Sequence, residues 1–169
     1  NRVIVHDNLL YLNNRGVQNL YNATGLIVDG SATNISVTQN TFYKNGANGM
    51  DRAAINFGLF NPSCSNITFM NNIVAENAND LEMFQDSCSG FVSDFNDFFN
   101  TRPLVVKWNQ SQIDWVTYQG ESGQDAHSLT SDPLFVDPTA FSFSLQPASS
   151  LIDKGVVLAR TTDSGSGKT

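Results

Sequence analysis

The chain has 169 residues, 15% of them charged, and a formal net charge of -7. This length suits a single domain with a sizeable core, and the acidic balance excludes a general nucleic-acid-binding surface. No apolar run approaches the roughly 18 residues that a membrane-spanning helix needs, so we expect no membrane insertion.

A phrase that begins and ends with asparagine recurs along the chain. Its four copies span residues 8–13, 40–45, 72–77 and, one residue shorter, 96–100. The first Asn recurs at intervals of 32, 32 and 24 residues, and an alternating apolar run precedes each copy. Periods of this size are typical of stacked units, none of which can bury its apolar face alone.

A second short apolar segment follows each phrase. These segments are residues 25–29, 54–58, 80–84 and 103–107. β-Branched and aromatic residues dominate them and turn-forming residues bound them, which is typical of strands. The pattern predicts two strands per repeat and leaves room for a third inside the Asn phrase. Equivalent strands would stack in parallel, about 4.8 Å apart, so the predicted fold class is all-β.

Stacking would place the first Asn of each phrase in one column. A side-chain amide both donates and accepts hydrogen bonds, so it can bond to the copies above and below it. We therefore predict an asparagine ladder formed by Asn8, Asn40, Asn72 and Asn96.

The two cysteines follow the same spacing. Cys64 and Cys88 each lie in Ser-Cys-Ser, eight residues before a ladder Asn. Their Cα atoms would then be close enough for a disulfide, which would fit an oxidising compartment. Two stacked free thiols are the alternative.

Two glycosylation-type sequons are also matched to the repeat. Asn34-Ile-Ser and Asn66-Ile-Thr each begin six residues before a ladder Asn. The pattern is typical of N-glycosylation acceptors, but a shared position in a repeated structure explains it equally. We favour the structural interpretation.

The repeat stops at about residue 109. The segment Ser111-Gln-Ile-Asp114 has the form of a capping box and predicts a short helix. Residues 132–137 and 141–145 are predicted strands, and residues 148–155 a helical turn closed by Gly. We expect repeats over 1–109, a C-terminal cap of the same domain over 110–160 and a disordered tail over 161–169.

The end of the chain carries a series of short motifs after the Asn phrases. They are Gly-Gln-Asp-Ala-His-Ser at 123–128, Asp-Pro-Leu-Phe-Val-Asp-Pro at 132–138, Phe-Ser-Leu-Gln-Pro at 143–147 and Ser-Leu-Ile-Asp-Lys-Gly at 150–155. Together the chain resembles the C-terminal end of right-handed parallel β-helix proteins of the pectate-lyase-like superfamily. The resemblance implies a solenoid of about four coils with three parallel sheets, a C-terminal cap, a secreted or cell-surface location and action on polysaccharides. Fold alone does not determine which action.

The chain begins inside a repeat, with no capping element before it. Because solenoids normally need capped ends, we expect the C-terminal part of a longer protein. An open first repeat would also expose unpaired strand edges, which predicts a homodimer through that end.

Lyase-type cleavage makes specific chemical demands. A uronate lyase must neutralise the sugar carboxylate, remove the C5 proton with a base and protonate the leaving oxygen. If the apolar residues of the second segments point inward, alternation sends Asn56, Glu82 and Lys107 outward from successive repeats. Lys107 would be the base, and Arg52 or Arg102 would lie near the substrate carboxylate.

Other polar residues would complete this site. Arg15 and Lys44 lie in loops that lead to the same face and would bind substrate, as would Asn56 and Glu82. The carboxylates of Asp80 and Glu82 would form a Ca²⁺ pair. The alternative is an ordinary solvated face, since exposed strand positions and loops carry polar residues in any protein.

Catalytic signatures of the resembled superfamily are incomplete here. The Arg-x-Pro-x-x-Arg of pectate lyases and the Gly-His-Gly of polygalacturonase-like hydrolases are both missing. His6 and His127 are interpreted as structural, and Trp108 and Trp115 as packed under the cap. The leading hypothesis is a secreted polysaccharide-active protein that cleaves an acidic polysaccharide by a lyase reaction. The alternatives are a noncatalytic carbohydrate-binding or adhesion solenoid and a structural stalk.

Overall fold

The computed structural model describes residues 2–13, 25–46, 53–58, 63–77, 79–83, 88–108 and 111–158. The strands are β1 (Val3–His6), β2 (Leu9–Tyr11), β3 (Leu26–Val28), β4 (Thr33–Thr38), β5 (Thr41–Tyr43), β6 (Ala53–Phe57), β7 (Cys64–Met70), β8 (Ile73–Ala75), β9 (Asn79–Met83), β10 (Cys88–Ser89), β11 (Val92–Asp94), β12 (Asp97–Phe99), β13 (Val105–Trp108), β14 (Ser111–Asp114), β15 (Phe135–Asp137) and β16 (Ser142–Leu145). One α-helix, α1 (Trp115–Ser122), and a 3-10 turn (Pro138–Ala140) accompany them in the described ranges. The all-β prediction is consistent with these elements.

Three parallel sheets contain the repeats. The first sheet runs β1-β4-β7, with β10 and β11 both paired to β7; the second runs β2-β5-β8-β12; the third runs β3-β6-β9-β13, with β14 added antiparallel. The chain visits the sheets in the same order in each repeat, and the strand predicted inside the Asn phrase forms the second sheet. Strand register follows the sequence period, since Val3 lies beside Ile35 and Ile35 beside Ile67. The predicted parallel stacking is confirmed.

One hydrophobic core joins the three sheets. Alternation in each strand sends apolar side chains to the same side, where they meet. Four phenylalanines, one or more from each sheet, form the centre of this cluster and are fully buried: Phe42, Phe57, Phe69 and Phe98. Phe69 contacts the other three, with ring centroids 6.0 to 6.3 Å apart. The core therefore fixes the sheets against one another.

The predicted asparagine ladder is present. The backbone N–H and the Nδ2 of Asn8 both donate to Oδ1 of Asn40, at 3.0 Å each. Asn40 bonds in the same way to Asn72, at 3.0 and 3.1 Å, and Asn72 to Asn96, at 2.9 and 3.0 Å. Side-chain amides also donate to backbone carbonyls, as Asn72 Nδ2 does to Val37 O at 3.0 Å. Each amide thus satisfies buried polar groups of two neighbouring repeats.

A second ladder runs parallel to the first, and the sequence analysis did not assign it. The last Asn of the first three phrases forms it. Asn13 Nδ2 donates to Asn45 Oδ1 at 2.9 Å, and Asn45 Nδ2 donates to Asn77 Oδ1 at 3.1 Å. Both ends of the Asn phrase therefore anchor the bends on either side of the second sheet.

The repeat register continues beyond residue 109, contrary to our expectation. Ser128 lies 32 residues after Asn96 and accepts a hydrogen bond from the Asn96 backbone N–H at 2.8 Å. Asp125 Oδ1 accepts from Asn96 Nδ2 at 3.1 Å and from Ser128 Oγ at 2.6 Å. Burial raises the pKa of the Asp125 carboxyl, and these hydrogen bonds oppose the rise. The ladder thus ends on a fully buried carboxyl group.

The helix begins later than predicted. Residues 111–114 form β14, antiparallel to β13, instead of a capping box. Asp114 is the N-cap residue, because its carboxylate accepts from the Thr117 N–H at 2.8 Å. Gly123 ends the helix in a left-handed conformation, φ 66°. The helical turn predicted at 148–155 is wrong, since those residues form turns without a helix.

Cys64 and Cys88 form a disulfide, so the free-thiol alternative is wrong. The two residues are register partners on β7 and β10, with Cα atoms 4.4 Å apart. The bond links adjacent strands of the first sheet, 24 residues apart in sequence.

The C-terminal hairpin covers the outer face of the second sheet. The strands β15 and β16, both predicted, pair antiparallel. Phe135 and Phe143 from this hairpin pack against Tyr43, with ring centroids 5.7 and 5.1 Å away. Beyond it, Val156 exchanges two hydrogen bonds with the side chain of Asn71, at 2.7 and 2.9 Å. The hairpin therefore excludes the outer face of the second sheet as a place for a binding site.

Candidate functional site

A surface groove lies on the outer face of the first sheet. Its volume is about 610 Å³. Its walls come from β1, β4 and β7 and from the C-terminal segment: Arg2, Asn34, Ile35, Ser36, Thr38, Asn66, Thr68 and Leu158. Because equivalent strands are stacked, the groove runs across the strands and along the direction in which the repeats succeed one another.

Asparagines of the two sequons form one side of the groove. Asn34 and Asn66 are exposed and adopt left-handed backbone conformations, with φ values of 58° and 53°. Asn66 Nδ2 donates to Asn34 Oδ1 at 3.3 Å. The next position in this column is Gly90, where a Cβ would lie 2.8 Å from Asn66 Oδ1. This exposed column therefore ends on the residue type that leaves the Asn66 amide room.

Hydroxyl groups line the floor of the groove. Ser36 and Thr68 are register partners on β4 and β7. Their neighbours in sequence, such as Ile35 and Val37, are buried in the core, so alternation sends the hydroxyls outward. Beside the groove, Ser65 Oγ donates to Thr33 Oγ1 at 2.9 Å. The surface thus presents amides and hydroxyls that can both donate and accept hydrogen bonds.

Among the described residues that line the groove, Arg2 is the one that carries a charge. Arg2 precedes Asn34 by one repeat of 32 residues and is exposed. No carboxylate lines the groove within the part of the chain that the structure describes. A guanidinium group binds carboxylates through paired hydrogen bonds, so this end of the groove favours an anionic or polar ligand.

A rigid imidazole lies beyond the other end of the groove. Asp94 on β11 is the register partner of Met70, which is the partner of Thr38 in the groove. The carboxylate of Asp94 accepts a hydrogen bond from the His127 backbone N–H and contacts His127 Nδ1, each at 2.7 Å. Burial raises the pKa of Asp94, but the bonds from His127 and the Phe95 N–H outweigh it and the pKa is lowered.

The structure describes only part of the predicted catalytic face on the third sheet. Lys107 is the register partner of Glu82, and Glu82 that of Asn56, so the three positions form one row of the sheet. The side chains of Asp80 and Glu82 lie outside the described residues, so the predicted Ca²⁺ pair stays a prediction. Arg15 and Arg52 also lie outside them.

Asn56 does not face solvent, and this expectation is wrong. Its side chain is fully buried, as are Ala54, Ile55 and Phe57. The strand β6 is central, with β3 on one side and β9 on the other. Both of its faces are covered, as is common for strands inside parallel sheets, so a side chain on either face is shielded from solvent.

Two predicted cationic residues have other contacts. Arg102 Nη2 donates to Asn77 O at 2.7 Å, and its Nε donates to Asn100 Oδ1 at 3.3 Å. Lys44 follows β5 and its Nζ lies 5.0 Å from the centroid of the Tyr43 ring. Both residues contact the bend after the second sheet, which is the bend that the second ladder anchors.

The described residues hold no cluster of three or more His, Cys, Asp or Glu suited to a metal ion. They also include no helix long and apolar enough to cross a membrane. Comparisons with protein-family models, with curated proteins and with solved structures gave no match. The function must therefore be argued from the groove itself.

Proposed function

We propose that the chain is a right-handed parallel β-helix, similar to the pectate-lyase-like superfamily, and that it binds an acidic polysaccharide along the groove of the first sheet. The cyclic order of the three parallel sheets and the two asparagine ladders support the architecture. The Cys64–Cys88 disulfide supports a secreted or cell-surface location, where disulfides persist.

The composition of the groove carries this proposal. Arg2 supplies a positive charge, the amides of Asn34 and Asn66 can bond to sugar hydroxyls, and Ser36 with Thr68 adds hydroxyl groups. These groups repeat from strand to strand at about 4.8 Å. A ligand with repeated hydroxyls, such as a polysaccharide laid along the groove, meets a similar set of partners at each step.

Binding without cleavage is the function that this geometry supports best. A lyase needs a base and a group that neutralises the carboxylate close to one sugar. Lyase-type cleavage at the third sheet is the second candidate, and the observation in its favour is the row of Asn56, Glu82 and Lys107 positions.

The binding proposal is tested with matched charge variants. Arg2→Gln removes the positive charge of the groove, whereas Lys107→Gln removes one from the third sheet. We expect Arg2→Gln to weaken binding of oligogalacturonate or oligoalginate about ten-fold, because a charged hydrogen bond is lost. Isothermal titration calorimetry would measure this. Equal weakening by both variants would contradict a specific groove site.

The lyase candidate has its own test. Polygalacturonate, alginate and chondroitin are incubated with the protein, with and without Ca²⁺, and the ultraviolet absorbance of the unsaturated product is followed. A rise that Lys107→Ala abolishes would establish cleavage at the third sheet. No rise, with binding retained, would establish a noncatalytic protein.

The expected homodimer is also a proposal. Strands β1, β2 and β3 are each at the edge of their sheets at the same end of the stack, and edge strands can pair with another chain. Light scattering across a range of protein concentrations tests this, and a constant monomer mass would contradict it.

A further inference from the structure

We infer that the exposed face of the His127 imidazole is a stacking platform for one sugar ring, which extends the groove to a second, distal subsite. This inference rests on the proposed polysaccharide binding and adds the length of ligand that the site selects. It uses three residues outside the groove lining: His127, Phe95 and Asp94.

The plane of the imidazole is fixed from two sides. Phe95 stacks on it with ring centroids 4.9 Å apart and planes within 6° of parallel. Asp94 fixes its edge, since the carboxylate oxygens contact both the backbone N–H and Nδ1 of His127 at 2.7 Å. Little rotational freedom is left to lose when a ligand binds, which favours affinity.

One face of the imidazole is open. Phe95 covers the other face, yet 65% of the His127 side chain is exposed. The face of an aromatic ring carries partial negative charge, and the C–H groups on one side of a pyranose ring carry partial positive charge. A flat, fixed and solvent-facing ring therefore fits a sugar ring laid against it.

The distance from Arg2 determines which ligands reach the platform. Arg2 belongs to the column of Asn66 and Gly90, so Asp94 lies three strands away and four residues further along. With about 4.8 Å per strand and about 3.3 Å per residue, Arg2 and Asp94 are about 20 Å apart. A ligand that touches Arg2 and His127 together must contain several sugar rings in succession, whereas a disaccharide reaches only one of them.

The test measures affinity against oligosaccharide length. His127→Asn keeps a donor for Asp94 but removes the aromatic face, and His127→Phe keeps an aromatic face. His6→Asn is the matched control, because His6 also contacts a neighbouring carboxylate, Asp7, at 2.7 Å and is 56% exposed. Calorimetric titrations use oligogalacturonates from the disaccharide to the octasaccharide, and thermal melts verify that each variant folds.

We expect His127→Asn to weaken octasaccharide binding about five-fold and leave disaccharide binding unchanged. His127→Phe should retain the preference for long ligands, and His6→Asn should behave as the native protein. The platform would be overturned if His127→Asn kept the native preference for long oligosaccharides, or if it weakened binding equally at all ligand lengths. Either result would leave the groove proposal standing. Absence of saccharide binding by the native protein would overturn the proposed function, and the platform with it.

Discussion

The first asparagine ladder and the exposed asparagine column belong to the same repeats but have opposite surroundings. Asn40, Asn72 and Asn96 are buried, and each accepts two hydrogen bonds of 2.9 to 3.1 Å from the preceding Asn. Asn34 and Asn66 are exposed and share a single bond of 3.3 Å. The difference teaches that position in the repeat, and not residue type, decides whether an amide holds the fold together or is available to a ligand.

The largest expected effect on stability is in the buried ladder. Asn72→Ala removes an acceptor from Asn40 and a donor from Val37 O, and so leaves several buried polar groups unsatisfied. Each costs about 1 to 3 kcal/mol, so we expect the free energy of unfolding to fall by about 4 kcal/mol. Urea denaturation measures it. A loss below about 1 kcal/mol would mean that the ladder contributes little to stability.

The pH dependence of stability tests a buried carboxyl group beside the ladder, that of Asp97, which follows Asn96 in sequence. Burial raises the pKa of Asp97 from 3.8 to about 7, the Ser131 N–H opposes the rise and the charge of Asp132 adds to it. Between pH 4 and 7 the folded protein keeps a proton that the unfolded chain has lost. Stability therefore falls as pH rises through this window and levels off above it. At about 1.4 kcal/mol per pKa unit, the fall is up to about 4 kcal/mol.

The Asp97→Asn variant isolates this contribution, because an amide stays neutral at every pH. Its stability should decline less steeply with pH than that of the native protein, with a remaining slope from Asp125, whose pKa burial also raises. Urea melts at several pH values measure both curves. Parallel curves would show that Asp97 is ionised in the folded protein.

A smaller effect on stability is expected at Gly90, the end of the exposed column. Gly90→Ala places a Cβ 2.8 Å from Asn66 Oδ1 at a left-handed position, φ 68°. We expect a loss of about 1 to 2 kcal/mol in thermal or urea unfolding. Gly120→Ala is the control, since a Cβ there meets nothing within 4 Å and should stabilise the helix. A neutral Gly90→Ala would mean that the exposed column tolerates crowding.

The smallest expected effect on stability comes from Asn66→Gly. The amide of Asn66 is exposed and makes one long side-chain bond, and glycine accepts the left-handed backbone of this position, φ 53°, so the free energy of unfolding should change by less than about 0.5 kcal/mol. Oligosaccharide binding should nevertheless weaken, which calorimetry measures. If this variant is as unstable as Asn72→Ala, the exposed column contributes to stability as the buried ladder does, and the contrast between them is contradicted.

The sequence was sufficient for the features that repeat. Equal spacing of Asn8, Asn40 and Asn72 with their apolar runs predicted the parallel strands and the first ladder. The same spacing applied to Asn13, Asn45 and Asn77 would have found the second. Ser128 was missed because a hydroxyl replaces the amide at the position 32 residues after Asn96, which breaks the pattern of letters but keeps a hydrogen-bonding group.

The site was harder to predict. Strand alternation says which residues share a face but not whether that face is covered, which is why Asn56 was placed in solvent although it is buried. The groove includes Leu158, and the nearby Val156 is held by Asn71, 85 positions earlier in sequence. Asn34 and Asn66 were noticed as sequons, but the period of 32 residues was not extended back to Arg2, which it places in the same column.

The bond pair between Val156 and Asn71 joins residues 85 positions apart. Stacked repeats that contact only their neighbours can fray one at a time from an end. Here the C-terminal part contacts three successive repeats, through Tyr11, Tyr43 and Asn71. Opening of any of these repeats therefore also breaks contacts with the C-terminal part. Hydrogen exchange should then report cooperative opening of the whole stack, with similar protection in β5 and β12.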